Sequence, residues 1–320
     1  PPPPPPPPPL FFFQPHAGIR DPLWSRGLGD VYKRQLINKG DEVLIPTPYW
    51  VSYSAMVALA EGVPVFINPD EDSNYKITAQ QLDSAITDKT KMLMLNSPNN
   101  PSGSVFTELE YLEFSKVLLK YPNIIIVSDE IYEHINYGVK SVSFASLPGM
   151  CDRTVTVNGI SKAYAMTGWR IGYLGAPRVI AKACNKMQGQ ITSGANCIAQ
   201  RATIKALEES PEKIQYMVDE FKIRRDFIID LVTKINGFNI KQPPMGAFYI
   251  FPNISELFGK TFKDVTVNDA NALSMLILEK AHVATVPGDA FGYPNCIRIS
   301  YSASREQIEE AIKRIKDLLS

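Results

Sequence analysis

The sequence predicts an α/β fold in which a mostly parallel sheet is flanked by helices and a small α+β domain follows. Two observations predict this class. Up to about residue 211, short apolar runs alternate with amphipathic stretches, as in parallel strands joined by crossover helices. Beyond that point, a long charged helix precedes strands and helices that do not alternate in this way. We therefore expect a large domain at 36–215 and a small domain at 216–320, hinged on the long helix.

Each element follows from its local pattern. Strands are predicted at short apolar runs between turn signals, at 42–46, 63–67, 92–95, 124–127, 154–157 and 171–174. Helices are predicted at 49–60, at 78–86 with Thr78 as N-cap, and at 107–120, where Thr107-Glu-Leu-Glu110 is a capping-box pattern. The second part carries helical patterns at 212–235, 268–281 and 304–319, and strand-like segments at 246–251, 283–286 and 296–301.

Residues 1–35 fit neither pattern. The chain opens with nine prolines, a leucine and three phenylalanines, and 20–35 has no helical or strand periodicity. A C-rich and then T-rich nucleotide tract would encode such a start. We therefore expect a non-native or disordered leader, followed by a large domain that is incomplete at its N-terminus. The alternative is a polyproline II ligand for an SH3-type module.

Charge and cysteine content argue against several classes of partner. The 33 basic and 33 acidic side chains give a net charge of zero, which disfavours nucleic acid or an anionic membrane as the main partner. No apolar run approaches the length of a membrane span, and no secretion signal is visible. The four cysteines lack metal-ligand spacing, so we expect reduced thiols, no metal site and a cytoplasmic protein.

Lys162 is the first candidate catalytic residue. It lies in Asn158-Gly-Ile-Ser-Lys162-Ala-Tyr-Ala-Met-Thr-Gly-Trp-Arg170, directly after the strand predicted at 154–157. A lysine in this place can form a Schiff base with an aldehyde cofactor, and an arginine eight residues later can hold the cofactor's phosphate with a bidentate fork. On its own, the pair also fits a solvated lysine after a strand.

Two further motifs also follow predicted strands. Asn96-Ser-Pro-Asn-Asn100-Pro101-Ser-Gly103 comes after 92–95, and Ser128-Asp129-Glu130-Ile-Tyr132 comes after 124–127. Ligands bind at the carboxyl ends of strands in open α/β sheets. Together with the lysine segment, these motifs resemble the class I pyridoxal-phosphate-dependent aminotransferases, and within them the bacterial aspartate aminotransferase branch, from about Leu36 to the C-terminus. The resemblance implies fold type I of the pyridoxal-phosphate-dependent transferases.

The resemblance also implies a role for each motif residue. Lys162 carries pyridoxal 5'-phosphate as a Schiff base and then moves the proton at the substrate Cα. Asp129 keeps the pyridine nitrogen protonated, with a simple N-cap as the alternative reading. Tyr132 and Asn100 contact the phenolic oxygen from two sides, and Arg170 binds the phosphate.

Two residues outside these motifs complete the expected site. Trp50 matches the aromatic ring that stacks on the pyridine, and a core tryptophan at this place is compatible with that role. Arg298 stands alone among the apolar residues of 296–301, where an arginine needs an anion. The resemblance assigns it the substrate α-carboxylate, with a structural salt bridge as the alternative. The resemblance further implies cis peptide bonds at Thr47–Pro48 and Asn100–Pro101.

The implied activity is transfer of an amino group between an amino acid, aspartate by the resemblance, and a 2-oxo acid such as 2-oxoglutarate. The complete enzyme is expected to be a homodimer. A carbon–sulfur lyase or synthase of the same fold is one alternative, and an inactive fragment or binding module is another. Two departures from the family pattern are noted. Gly159 stands where many relatives have a phosphate-contacting serine, and the family's phosphate-binding loop is expected before Leu36.

Overall fold

A six-stranded sheet organises the first part of the structure, a computed structural model that describes residues 36–70 and 73–320. Its strands are β1 (Glu42–Pro46), β2 (Val63–Ile67), β3 (Thr90–Asn96), β4 (Ile125–Asp129), β5 (Thr154–Gly159) and β6 (Gly172–Gly175). They lie in the order β2-β1-β3-β4-β5-β6, with β1 to β5 parallel and β6 antiparallel to β5. The predicted mostly parallel sheet is thus confirmed. The predicted leader lies outside the described residues.

Both faces of this sheet are buried. Successive residues of one strand enter different core clusters: Val43 and Ile45 pack on one face, and Leu44 packs on the other. The same alternation separates Met92 from Leu93 in β3. A strand buried on both faces has no polar side, which is why these segments are continuous apolar runs in the sequence.

Helices cover the sheet and connect its strands. They are α1 (Ser52–Leu59), α2 (Ala79–Ala85), α3 (Glu108–Leu119), α4 (Arg178–Ile191) and α5 (Cys197–Glu208). Thr78 and Thr107 each close a capping box with the residue three positions later, as the sequence pattern predicted for Thr107. Helix α1 begins later than predicted because residues 47–51 form a loop, in which the Tyr49 N–H donates to the carbonyl of Phe291.

The part after residue 210 contributes most residues of a further core cluster. Its elements are a 3₁₀ turn at Pro211–Ile214, α6 (Gln215–Val232), β7 (Tyr249–Ile250), β8 (Lys260–Phe262), β9 (Val265–Val267), α7 (Ala270–Leu276), a π-helical turn at Ile277–Ala281, β10 (Val286–Pro287), β11 (Ile297–Ser300) and α8 (Arg305–Leu318). The strands β10, β11 and β7 form an antiparallel sheet in that order. Within the described ranges, no helix is long and apolar enough to span a bilayer.

One core cluster links this second part to the end of β4. It contains residues of α6, α7 and α8 together with Tyr132, Ile135 and Tyr137. The turn that follows β4 is therefore packed against the C-terminal elements. This packing brings β7 and β11 to the carboxyl edge of the large sheet.

Candidate active site

The carboxyl ends of β3, β4 and β5 open into a cavity of about 500 Å³. Polar groups collect at such an edge because parallel strands all end there and their loops leave a crevice. The structure brings together at this cavity all the site residues predicted from the sequence: Trp50, Asn100, Asp129, Tyr132, Lys162, Arg170 and Arg298.

Asp129 is the last residue of β4, and two donors fix its carboxylate. Tyr53 Oη donates to Asp129 Oδ2 at 2.6 Å, and the backbone N–H of Ile131 donates to Oδ1 at 3.2 Å. The second contact is the turn-capping contact that the sequence left open as an alternative. The first adds a tyrosine from α1 that the sequence analysis did not identify. Asp129 thus presents an oriented carboxylate at the cavity wall.

Lys162 lies in the turn after β5, half-buried, with its Nζ against aromatic rings. Nζ is 5.8 Å from the ring centroid of Tyr132 and 5.6 Å from that of Phe248. Burial lowers the pKa of Lys162, the positive charges of Arg298 and Arg170 lower it further, and the charge of Asp129 opposes this shift. A depressed pKa enriches the neutral amine, which is the nucleophilic form.

Arg298 enters the cavity from β11 and contacts neutral groups. Its Nη1 donates to Asn100 Oδ1 at 2.8 Å. Its guanidinium carbon is 4.6 Å from the ring centroid of Tyr249 and 4.9 Å from that of Phe291. Burial lowers the pKa of Arg298. These contacts hold the partly desolvated guanidinium in place, but they supply no negative charge to balance it. The arrangement therefore suits an anionic ligand.

Asn100 is buried, and its position is set by the turn after β3. Its backbone N–H donates to Asn96 Oδ1 at 2.8 Å, and Asn96 Nδ2 in turn donates to the carbonyl of Asp129 at 3.0 Å. The ends of β3 and β4 are thereby tied together. The expected cis peptide bonds at Thr47–Pro48 and Asn100–Pro101 are confirmed.

Tyr132 is almost fully buried, and its hydroxyl faces another tyrosine. Its Oη lies 2.9 Å from Oη of Tyr249. Burial and the proximity of Tyr249 raise the pKa of Tyr132 well above its usual value, so the phenol remains protonated. A neutral phenol beside Lys162 is a hydrogen-bond donor for an oxygen in the cavity.

Trp50 and Arg170 also line the cavity. The ring of Trp50 packs edge-on against Tyr53, with centroids 5.5 Å apart. Arg170 is exposed and adopts a left-handed backbone conformation, and its Nη1 donates to the carbonyl of Thr167 at 2.9 Å. The two cations Arg170 and Arg298 therefore reach the same cavity from different elements.

A steric constraint explains why position 159 is a glycine. A Cβ at this position would lie 2.9 Å from the carbonyl oxygen of Ile171 and 3.1 Å from Gly172 Cα. Because β5 and β6 approach each other so closely here, the backbone would have to shift before a side chain could be accommodated. Among the described residues, no group of three or more His, Cys, Asp and Glu side chains could hold a metal ion.

The chain is similar to proteins of a known family. The family model for aminotransferase class I and II matches residues 25–315. The chain is 45% identical over 285 residues to a bifunctional aspartate aminotransferase and glutamate/aspartate-prephenate aminotransferase of Petunia hybrida, covering 88% of the chain and 59% of that relative. It is 43% identical over 282 residues to an aspartate aminotransferase of Rhizobium meliloti, covering 87% of the chain and 68% of that relative.

A crystal structure shares the fold. The aspartate aminotransferase from Rhizobium meliloti superposes with a TM-score of 0.86 at 41% identity, over 92% of the chain and 74% of that structure. The chain therefore spans somewhat under three-fifths of the Petunia relative and about three-quarters of the Rhizobium structure.

Proposed function

The chain belongs to the class I and II aminotransferases, and we propose that it transfers an amino group between aspartate and a 2-oxo acid such as 2-oxoglutarate, with pyridoxal 5'-phosphate as cofactor. The observation that carries this proposal is the cavity itself. A lysine with a depressed pKa, an oriented carboxylate, a buried phenol and two arginines converge there. The name aspartate aminotransferase, shared by several relatives, supports the choice of substrate.

The donor set fits this cofactor. Asp129 offers a carboxylate to a protonated ring nitrogen, Tyr132 and Asn100 offer polar groups to a phenolic oxygen, and Arg170 offers a guanidinium to a phosphate. Trp50 offers an aromatic face. When bound, the cofactor supplies the electron sink that stabilises negative charge at the substrate Cα.

Lys162 and Asp129 carry the proposed proton chemistry. The amine of Lys162 would hold the cofactor through its aldehyde group with loss of water, and the free amine would take up the proton of the substrate Cα. The lowered pKa of Lys162 favours the neutral amine, which is the form that can accept a proton. Asp129 holds the ring proton, and the hydroxyl of Tyr53 keeps its carboxylate in one orientation.

Arg298 is proposed to bind the α-carboxylate of both substrates. The bond to Asn100 and the flanking rings of Tyr249 and Phe291 orient the guanidinium before substrate arrives. A carboxylate would then meet a preorganised bidentate donor. Because Arg298 lies on β11 and Lys162 follows β5, we also propose the division into domains near residue 215, with substrate bound between them.

A second copy of the chain is the proposed partner. Large apolar side chains are exposed on α4 and α5, including Val179 at 81% and Ile198 at 68%. Large apolar groups exposed on two consecutive helices favour association. Sedimentation equilibrium of the chain, compared with a Val179→Glu and Ile198→Glu variant, tests this proposal.

Reductive labelling tests the cofactor site. Pyridoxal 5'-phosphate followed by borohydride should fix the label on the peptide that contains Lys162, and peptide mass spectrometry would locate it. Lys162→Arg should lose this label, whereas the matched variant Lys186→Arg, on an exposed part of α4, should keep it. Label on Lys186 in the wild-type chain would contradict the assignment.

Substrate assays test the reaction class. The expected result is oxaloacetate formation from aspartate when 2-oxoglutarate is present. Release of ammonia and an oxo acid from a sulfur amino acid, without an oxo-acid acceptor, would instead indicate a carbon–sulfur lyase. Labelling of Lys162 without either reaction would indicate a binding module.

A further inference from the structure

Tyr249 lies in the cavity between two residues to which roles are proposed above. It is buried in β7, its hydroxyl is 2.9 Å from the hydroxyl of Tyr132, and its ring lies under the guanidinium of Arg298. Its sequence pattern predicts a strand at 246–251 and no function. The structure thus places a phenol in direct contact with the proposed donor to the cofactor.

The backbone before Tyr249 is held in an unusual conformation. Ala247 is fully buried and has φ of 55°, which a residue with a Cβ rarely adopts. Its N–H donates to the carbonyl of Ile135, and its carbonyl accepts from the hydroxyls of Tyr137 and Tyr301. Backbone conformations that cost energy persist where the surroundings fix them, and they concentrate at functional sites. These contacts fix the direction in which the chain enters β7.

The number of protons determines the direction of the bond between the two tyrosines. Each phenol has one proton and can accept further hydrogen bonds. If Tyr132 donates its proton to an oxygen in the cavity, the bond at 2.9 Å must be donated by Tyr249. A donated bond polarises the acceptor hydroxyl and makes it a stronger donor in turn.

The charge of Arg298 also favours a hydrogen bond donated by Tyr249 to Tyr132. Burial raises the pKa of Tyr249, and the positive charge of Arg298 opposes this increase. The cation over the ring therefore makes the phenol of Tyr249 a better donor than burial alone would allow.

We propose that Tyr249 is a positioning residue: its hydroxyl donates to Tyr132 and thereby holds and strengthens the bond from Tyr132 to the phenolic oxygen of pyridoxal 5'-phosphate. The inference rests on the proposed function. A stronger bond to that oxygen favours its anionic form and so lowers the pH at which bound cofactor loses its proton. Tyr249 would act on this property through Tyr132 and without touching the cofactor.

The pH midpoint of the visible absorption band of bound pyridoxal 5'-phosphate tests the inference. Tyr249→Phe keeps the ring that packs against Arg298 and Phe248 and removes only the hydroxyl. The midpoint should increase by about 0.5 to 1 pH unit, as expected for the loss of one hydrogen bond. Tyr111→Phe removes a buried hydroxyl from the core between α3 and the sheet and serves as the matched control, with an unchanged midpoint.

A double-variant cycle separates positioning from general destabilisation. In a Tyr132→Phe background, Tyr249→Phe should leave the midpoint where Tyr132→Phe alone puts it. A shift of equal size in both backgrounds would show that Tyr249 acts independently of Tyr132, and the inference would be wrong.

Two further outcomes separate this inference from the proposed function. If Tyr249→Phe has the wild-type midpoint while the wild-type chain binds cofactor and transaminates, the inference fails and the proposed function stands. If the wild-type chain shows no cofactor band and no label at Lys162, the proposed function fails and the inference fails with it. Melting temperatures of Tyr249→Phe and Tyr111→Phe should decrease by similar amounts, whichever midpoint is found.

Discussion

Glu130 is a buried carboxyl group beside Asp129 whose ionisation should control the pH dependence of stability. Its Oε1 accepts three hydrogen bonds: from the hydroxyl of Ser128 at 2.8 Å, from that of Ser143 at 3.0 Å, and from the Phe144 N–H at 3.1 Å. These bonds favour the charged form, but burial outweighs them and raises the pKa of Glu130 to about 7, from an ordinary value of 4.5.

The sign and size of the effect follow from this pKa increase. Because the folded protein binds the proton more tightly, the stabilisation is fully present below pH 4.5 and is lost as the pH rises through about 7. A shift of this size corresponds to about 3 kcal/mol of unfolding free energy between pH 4 and pH 8. Glu130→Gln keeps an oxygen that can accept the same three bonds and cannot ionise. The variant should therefore not lose this stabilisation as the pH rises.

Urea unfolding of wild type and Glu130→Gln at pH 4 and pH 8 measures the effect. The free energy of unfolding of the variant, relative to wild type, should increase by about 3 kcal/mol from the lower to the higher pH. Glu110→Gln is the control of opposite sign, because bonds from Lys76 and Thr107 lower the pKa of Glu110 against the effect of burial. If Glu130→Gln shows no pH-dependent difference from wild type, the pKa of Glu130 is the same in the folded and the unfolded chain, and the reasoning fails.

Three further predictions concern the cavity. Tyr53→Phe should weaken pyridoxal 5'-phosphate binding by about 10-fold, because the charged carboxylate of Asp129 loses a hydrogen bond. Equilibrium dialysis measures the Kd, and an unchanged Kd would contradict the prediction. Arg298→Lys should increase the KM for aspartate and the KM for 2-oxoglutarate by about 10-fold or more, because lysine keeps the charge but lacks the bidentate guanidinium. The melting temperature should change little. Unchanged KM values with a lower melting temperature would show that Arg298 has a structural role. Arg298→Gln should raise the pKa of Lys162 by removing a like charge; the pH profile of Lys162 acetylation should then move to higher pH, with Arg298→Lys remaining near wild type.

The sequence predicted the central sheet well because each strand is buried on both faces and therefore lacks polar residues. The predicted segment 92–95 lies within β3, and that at 154–157 lies within β5. Helices α4 and α5 were missed. Val179 and Ile198 are exposed, so their apolar side chains do not mark a buried face in the sequence. The helix predicted at 212–235 is divided, because Ser210 caps a 3₁₀ turn before α6 begins.

The motif residues that line the cavity were predicted from the sequence, whereas the residues that support them were not. Asp129 and Lys162 lie at or just beyond the carboxyl ends of strands, which is a signal that a single sequence displays. Tyr53 and Tyr249 reach their partners across 76 and 117 residues of chain, to Asp129 and Tyr132 respectively. No local pattern encodes a contact over such a separation. One weak signal was present for Tyr53, since it follows Trp50 by three positions and so falls on the same face of the helix predicted at 49–60.

The walls of the cavity come from regions that have their own cores, with Trp50 packed on one cluster and Tyr249 belonging to another. Such a cavity is complete only when these regions have folded and docked. A ligand that contacts both walls stabilises the docked arrangement, but it does not stabilise either region by itself. At a concentration of 100 times its Kd, such a ligand stabilises the docked state by about 2.7 kcal/mol. Pyridoxal 5'-phosphate should thus act on this chain as a folding aid during synthesis.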